Sequence, residues 1–357
     1  MKLSTLIVLL LAALSVLLYL FSTDYKKKQK TPKKPTAKPA QKPDEPSETV
    51  DNTPTKNDEA ATKSSNAATI NNDLADRIGY KADFVATESF KIELKTLIKN
   101  HKTHVTPLLE PQGTNKNILN YHHFSVAMHK ERKMPLLTAV NIDGKQTRDV
   151  GKDTGTWQYD PRMSRDFQLG MEVYRENDLD LGHLVRRLDP VWGKEAMQAN
   201  RDTFHFTVCA PQHAKLNRVT WKSLEDYILK NTKSEDLKVS VFTGPVFSEK
   251  DKVYRGILLP LQFWKMAAVV KNDGKMSITA YILSHKDYLD DMSDRGLIGD
   301  TGFEEYKTYQ IPLRRLQELT NLNLAELLEF DPLNDKKRGL LGEDDFVEIG
   351  GADDVQL

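Results

Sequence analysis

Residues 3–22, LSTLIVLLLAALSVLLYLFS, carry no charge over about the twenty positions that a helix rising 1.5 Å per residue needs to cross a hydrocarbon core. That run is committed to a membrane, so the folded part of the chain must be built from the residues after it. A cleavable leader has a shorter apolar region ending in an Ala-x-Ala-like site, whereas Tyr19 and Phe21 crowd the exit of this one, so retention of residues 1–22 as a transmembrane signal-anchor is favoured. Residues 23–70 are Lys, Pro, Thr, Ala, Asp and Asn with almost no large apolar side chain, too little to bury a core. Pro32, Pro35, Pro39, Pro43, Pro46 and Pro54 stiffen this stretch, which is expected to be a disordered linker whose lysines can also meet anionic lipid heads.

The folding unit is therefore expected at 71–342, with an acidic, glycine-bearing tail at 343–357 as a mobile end. Apolar residues make up 39% of the chain and charged residues 29%, a globular balance. Formal net charge is zero, so the total predicts no polyanionic partner and any nucleic-acid contact must come from a locally basic surface. The one cysteine, Cys209, excludes an internal disulfide framework and a multi-cysteine zinc site; a small core residue is its expected role.

Apolar positions at helical spacing (Phe90, Ile92, Leu94, Leu97, Ile98, after the candidate cap Ser89) predict helix within 72–100. Residues 121–128 and 136–142 are β-rich runs separated by charged turn residues, which predicts a hairpin feeding a central sheet. Runs 238–243, 262–270 and 276–283 read as further strands, the last two joined by Asn272-Asp273-Gly274. Helices are predicted at 216–230 and 313–330. The class is α+β with a mainly antiparallel sheet.

Most of the nine histidines stand in unremarkable surroundings. His183 is different: it follows Asp180-Leu181-Gly182 and precedes Leu184-Val185-Arg186-Arg187, so a phosphate would meet a base and two cations there, with Gly182 allowing close approach to the backbone. Taken alone, a histidine among apolar residues is more often a satisfied core residue. About thirty residues on, Asn217, Trp221 and Glu225 recur at fourfold spacing on adjacent parts of one helix face. An amide oxygen is an acceptable ligand for Mg²⁺, which keeps most of its waters, and Glu225 could hold one of those waters. An ordinary amphipathic helix with Asn217 near its cap would look the same.

The combination is what discriminates. From about residue 121 to 283 the chain resembles the sugar-non-specific DNA/RNA endonucleases, on Phe124-Ser125-Val126, the strand from Thr138 to Gly144, Asp180 to Asp189, Phe204 to Gln212, Asn217 to Glu225 and Phe263-Trp264-Lys265. The resemblance implies a ββα-metal nuclease fold, with a central sheet flanked by helices, acting on DNA and RNA with little sequence preference. It implies His183 as the base that deprotonates water, Asn217 as the ligand of Mg²⁺ or Mn²⁺, and Glu225 orienting metal-bound water, with 5′-phosphorylated products. Arg162 and Arg165 lie where the family carries a phosphate-contacting arginine, and Arg186 and Arg187 are further candidates. An inhibitor protein is a partner such an enzyme could need. Lys26, Lys27, Lys28, Lys30, Lys33 and Lys34 after the apolar run argue for a cytoplasmic domain. The danger of a non-specific nuclease to its own genome argues for export, and the reading leans to the extracytoplasmic side.

Two positions depart from the family pattern. Its Asp-Arg-Gly-His reads Asp180-Leu181-Gly182-His183, losing a cation beside the base, and its Thr-Asn reads Thr207-Val208, losing an amide. Losing one charge-stabilising contact commonly costs on the order of 10²-fold in rate. Retained but weakened hydrolysis is the favoured expectation; a nucleic-acid-binding protein on a decayed nuclease domain is the alternative. A live but weakened enzyme should cleave plasmid faster after Leu181→Arg; no gain would speak for decay or for another grip on the phosphate.

Overall fold

Four long strand segments are buried on nearly every residue, because both faces of the sheet they form are covered. Residues 74–85, 90–151, 155–214, 222–284, 308–333 and 347–349 of the computed structural model are described, all within the unit Ser65–Leu357. In chain order the elements are α1 (Leu94–Leu97), β1 (Ile118–Asn120), β2 (Phe124–Met128), β3 (Pro135–Asp143), β4 (Leu179–His183), α2 (Ala196–Asp202), β5 (Cys209–His213), α3 (Lys222–Ser234), β6 (Lys238–Val246), β7 (Lys252–Tyr254), β8 (Ile257–Leu259), β9 (Gln262–Val270), β10 (Met276–Ser284), β11 (Thr308–Ile311), α4 (Leu313–Thr320) and β12 (Val347–Ile349). Among the described residues, eight strands form one sheet in the order β1-β2-β3-β6-β9-β10-β11-β12, every neighbouring pair antiparallel. β4 pairs with β5 and β7 with β8 in two separate ribbons.

Strand alternation divides the core. Trp264, Met266 and Ala268 of β9, Ile278, Ala280 and Ile282 of β10, and Phe242 and Val246 of β6 face one side, where α1, α4 and the 3₁₀ turn Ala325–Phe330 pack. Ala267, Val269, Val239, Val241 and Tyr281 face the other side, against Leu224, Ile228 and Leu229 of α3 and against Val185 and Val208. Leu184 and Ala210 continue that second layer with Phe263 and Leu283. The β4–β5–α3 unit is an excursion from the sheet: Asp143 of β3 pairs with Lys238 of β6, and Gly144 N–H donates to Leu237 O at 2.8 Å, so the chain from 144 to 237 leaves and returns at one place.

The strands predicted at 121–128, 136–142, 238–243, 262–270 and 276–283 are β2, β3, β6, β9 and β10, and Gly274 turns the last pair with φ +79°. Three expectations are corrected. Among the described residues, regular helix within 72–100 shrinks to α1, followed by the 3₁₀ turn Lys99–His101, because Phe90 and Ile92 lie ahead of the helix against the first core layer and Ile92 N–H donates to Ala82 O at 3.0 Å. The helix expected at 313–330 breaks at Asn321, which adopts φ 54° and caps α4 with its N–H on Gln317 O. The tail contributes β12, which pairs with β11. The apolar run at 3–22, the linker, Ser89, and residues 215–221 with Asn217 and Trp221 lie outside the described residues. Among the described residues no helix is long and apolar enough to cross a membrane.

Gly244 of β6 packs where a Cβ would lie 2.5 Å from Leu136 O and 3.0 Å from the Trp264 ring. A backbone oxygen in mid-sheet cannot step aside, so Gly244→Ala should destabilise the fold by about 1–3 kcal/mol, read as a lower urea midpoint; an unchanged midpoint would refute this packing.

Candidate active site

A strand, a second strand paired antiparallel to it and a helix make up the unit that carries His183. Gly182 faces Ala210 and His183 faces Cys209 in the β4–β5 register. The close approach that Gly182 permits is internal: a Cβ there would collide with the Gln212 side chain, which lies over it fully buried. The expectation that Gly182 opens the backbone to substrate is thereby corrected. Both polar atoms of the Gln212 amide are buried without a hydrogen bond.

His183 ends β4 with its ring between Trp157, at 4.9 Å, and Phe204, perpendicular at 5.6 Å. The imidazole hydrogen-bonds the Thr203 backbone, while Nε2 is buried and has no hydrogen-bond partner. The proton therefore belongs on Nδ1, which donates to the Thr203 carbonyl, and the lone pair on Nε2 is left for a ligand. Burial first, and then the charge of Arg187, lower the imidazole pKa to about 4 against the pull of that carbonyl. At neutral pH this is an uncharged base.

Glu225 of α3 is buried against two cations, Lys265 Nζ at 3.4 Å and Arg186 Nε at 3.9 Å. Burial outweighs their pull and raises its pKa. Lys265 Nζ also donates to Thr243 Oγ1 at 3.0 Å. Arg186 donates to the Glu225 carbonyl at 2.9 Å and pairs with Asp226. Asp189, buried nearby, is pushed up to about 7 by desolvation despite Arg186 and Lys265.

The four candidate arginines fare differently. Arg162 is buried, bound to Asp160 through Nε at 3.0 Å and Nη2 at 2.7 Å and to Asn120 O through Nη1 at 2.7 Å, so its guanidinium holds the fold together. Arg165 is exposed and lies 3.1 Å over the Tyr159 ring. Arg186 is engaged with α3. Arg187, held by Asn200 Oδ1 at 3.0 Å, is the arginine whose charge reaches His183. The two departures are also placed: Leu181 packs at the rim of one core cluster, and Val208 is wholly buried beside Val185 and Leu224.

The family model described as DNA/RNA non-specific endonuclease matches residues 105–331. The chain belongs to this family. The endonuclease-family chain is 38% identical over 277 residues to "Uncharacterized protein y4fB" of Sinorhizobium fredii, covering 74% of this chain and 41% of that protein. It thus spans less than half the length of that relative. It is 26% identical to Nuclease C1 of Cunninghamella echinulata, over 49% of this chain and 73% of that one. With "Nuclease 1, mitochondrial" of Schizosaccharomyces pombe it shares 23% identity over 62% and 68% of the two chains. A chain of the EndoG/EndoGI complex crystal structure aligns with a TM-score of 0.45 and 16% identity, over 57% of this chain and 84% of that one.

Sequence reasoning missed the Trp157 and Phe204 walls and the roles of Asp189 and Lys265. The last left a trace: one lysine inside the otherwise uncharged run QFWKMAAVV of this endonuclease-family chain. Cys209 is the core residue expected, buried, with its thiol pushed up to about 12.

Because folding lowers the His183 pKa from 6.5 to about 4, the unfolded chain binds a proton in that window that the folded chain does not. Stability therefore rises with pH through the window and is lost as pH falls. His183→Gln should flatten the pH dependence of the urea midpoint there, by at most about 1.4 kcal/mol per pH unit; an unchanged slope would refute the lowered pKa.

Proposed function

We propose that this protein is a metal-dependent endonuclease that hydrolyses phosphodiester bonds of DNA and RNA with little sequence preference. The observation that carries the reading is His183: a neutral imidazole with its tautomer set by Thr203 and its Nε2 lone pair unpartnered beside Arg187. In the proposed reaction Nε2 takes a proton from water as the water oxygen bonds to phosphorus. The bond to the 3′ oxygen breaks and that oxygen takes a proton from solvent, leaving a 5′-phosphate and a 3′-hydroxyl. Arg187 stabilises charge on the phosphoryl oxygens, in place of the arginine the family carries at Leu181, and Arg165 grips a neighbouring phosphate from the surface. Arg186 assists by holding α3, and Arg162 by holding Asp160.

Asn217 would hold Mg²⁺ or Mn²⁺, with Glu225 positioning its water. The Glu225 carboxylate, whose Oε1 is buried without a hydrogen bond, is a hard-oxygen donor that fits such a group. When bound, the ion supplies Lewis-acid charge and acidifies water. A base with a pKa near 4 is a weak proton acceptor, so His183 suits water that is already acidified.

Residues 1–22 are proposed as a single-pass anchor placing the domain outside the cytoplasm, with an inhibitor protein as a partner. A second reading, nucleic-acid binding without turnover, draws on Leu181 and the wholly buried Val208. Plasmid nicking by the full-length chain separates the two. With Mg²⁺ we expect nicking that chelator abolishes and that His183→Ala and Asn217→Ala lower by roughly 10²–10⁴-fold. Binding without nicking in Mg²⁺ and Mn²⁺ by the folded wild type would establish the second reading.

A further inference from the structure

On the other face of the sheet, away from His183, two imidazoles and a carboxylate converge. His104 follows the 3₁₀ turn Lys99–His101, and His129 follows β2. A backbone bridge between Val105 and His129, with Lys130 N–H donating to His104 O at 2.7 Å, fixes the two segments side by side. The His129 and Lys133 backbones close the β2–β3 turn, at which Glu131 stands two residues beyond His129. His104 and His129 line a cavity of about 240 Å³ together with Phe247, Trp264 and Leu319 of the first core layer and its rim.

The rings of His104 and His129 lie 5.3 Å apart, inclined by only 23°. Glu131 Oε2 is 3.2 Å from His104 Nδ1 and 3.5 Å from His129 Nδ1, and the three ligand atoms all fall within 4.8 Å of one another. Metal–ligand distances of about 2.0–2.2 Å put the donors of a tetrahedral zinc ion about 3.3–3.6 Å apart. Two edges of such a tetrahedron are in place, and the exposed His104 can shorten the third by turning.

One contact is suited to a cation, and the Glu131 oxygen in it also accepts from His104 Nδ1 at 3.2 Å. The Arg132 N–H donates to His129 Nδ1 at 3.3 Å, so that nitrogen carries a lone pair and no proton. It nevertheless faces a carboxylate oxygen at 3.5 Å, acceptor against acceptor. The nearest fixed cation does not relieve this, because the Arg132 guanidinium turns away to Asp251 at 2.8 Å and Ser248 O at 2.9 Å. His101 does not belong to the set, since its Nε2 is engaged with Thr320 O at 2.9 Å.

We propose that His104, His129 and Glu131 bind a borderline divalent ion of the zinc type at a second site, across the sheet from the nuclease centre. Two imidazoles and one carboxylate suit Zn²⁺, whereas Mg²⁺ prefers an all-oxygen shell. The ion fastens the segment around His104 to the β2–β3 turn, and its fourth position opens to water. The site does not depend on the nuclease reading.

Equilibrium dialysis of the metal-stripped full-length chain against Zn²⁺ tests it, with Co²⁺ absorption as a probe of tetrahedral geometry. Wild type and Asn217→Ala should each bind this equivalent with a tetrahedral Co²⁺ spectrum. His104→Ala and Glu131→Gln, both at exposed positions, should weaken that binding about tenfold or more and lose the rise in melting temperature that Zn²⁺ gives the wild type. No zinc binding by folded wild type, or binding unchanged in His104→Ala, would overturn the site. Loss of the equivalent in Asn217→Ala would move the ion to the nuclease centre and likewise overturn it.

Discussion

Lys265 stands in the middle of β9, 1% exposed, on the face of the sheet that α3 covers. Placing an ammonium there costs several kcal/mol unless an anion accompanies it, and removing one partner of such a pair costs more than the pair is worth. Glu225 is that anion. The consequence is geometrical: α3 cannot turn about its axis or slide along the sheet without drawing Glu225 away from Lys265. Arg186 fixes the same helix from the strand side through the Glu225 carbonyl and Asp226. Asp189 shares both cations, and its burial pushes its pKa up to about 7.

His183 is positioned by different means. Its ring is held by aromatic walls and one carbonyl, none of them on α3, so base and helix reach their places independently. The cation that the family carries beside its histidine is replaced by an apolar side chain at Leu181, yet Arg187 supplies a charge that the imidazole feels. The substitution at Val208 is accommodated by packing: an amide there would have to find partners among Val185, Leu224 and their neighbours.

The central strands were legible because their apolar runs are long and bounded by charged turns. β4 and β5 were not identified as strands, since five residues containing Asp180 and Gly182, or Pro211 and Gln212, show no alternation, and only their mutual pairing makes them extended. Helical spacing misled at Phe90 and Ile92, where the buried surface of a sheet accepts apolar residues from a non-helical chain as readily as from a helix. His183 stood out through its context with Asn217 and Glu225, and no local pattern announces the Trp157 and Phe204 walls. Arg162 and Arg187 look alike in sequence. One is locked onto Asp160 and the other lies near the base, a distinction made by residues 120, 160 and 200 that no short motif contains.

The whole strand–strand–helix unit hangs from the sheet at the junction of Asp143 and Lys238. Joined there, β3 and β6 are neighbours whatever lies between them, and the cost of closing so long a loop grows only with the logarithm of its length. The sheet is in this sense a chassis and the excursion a payload whose chain enters and leaves at one mount. Lineages could rebuild the payload, as at Leu181 and Val208, without disturbing the register of the strands that carry it. Conversely, injury to the mount at Gly144, where a Cβ would strike the Thr232 backbone, would unseat every chemical group at once.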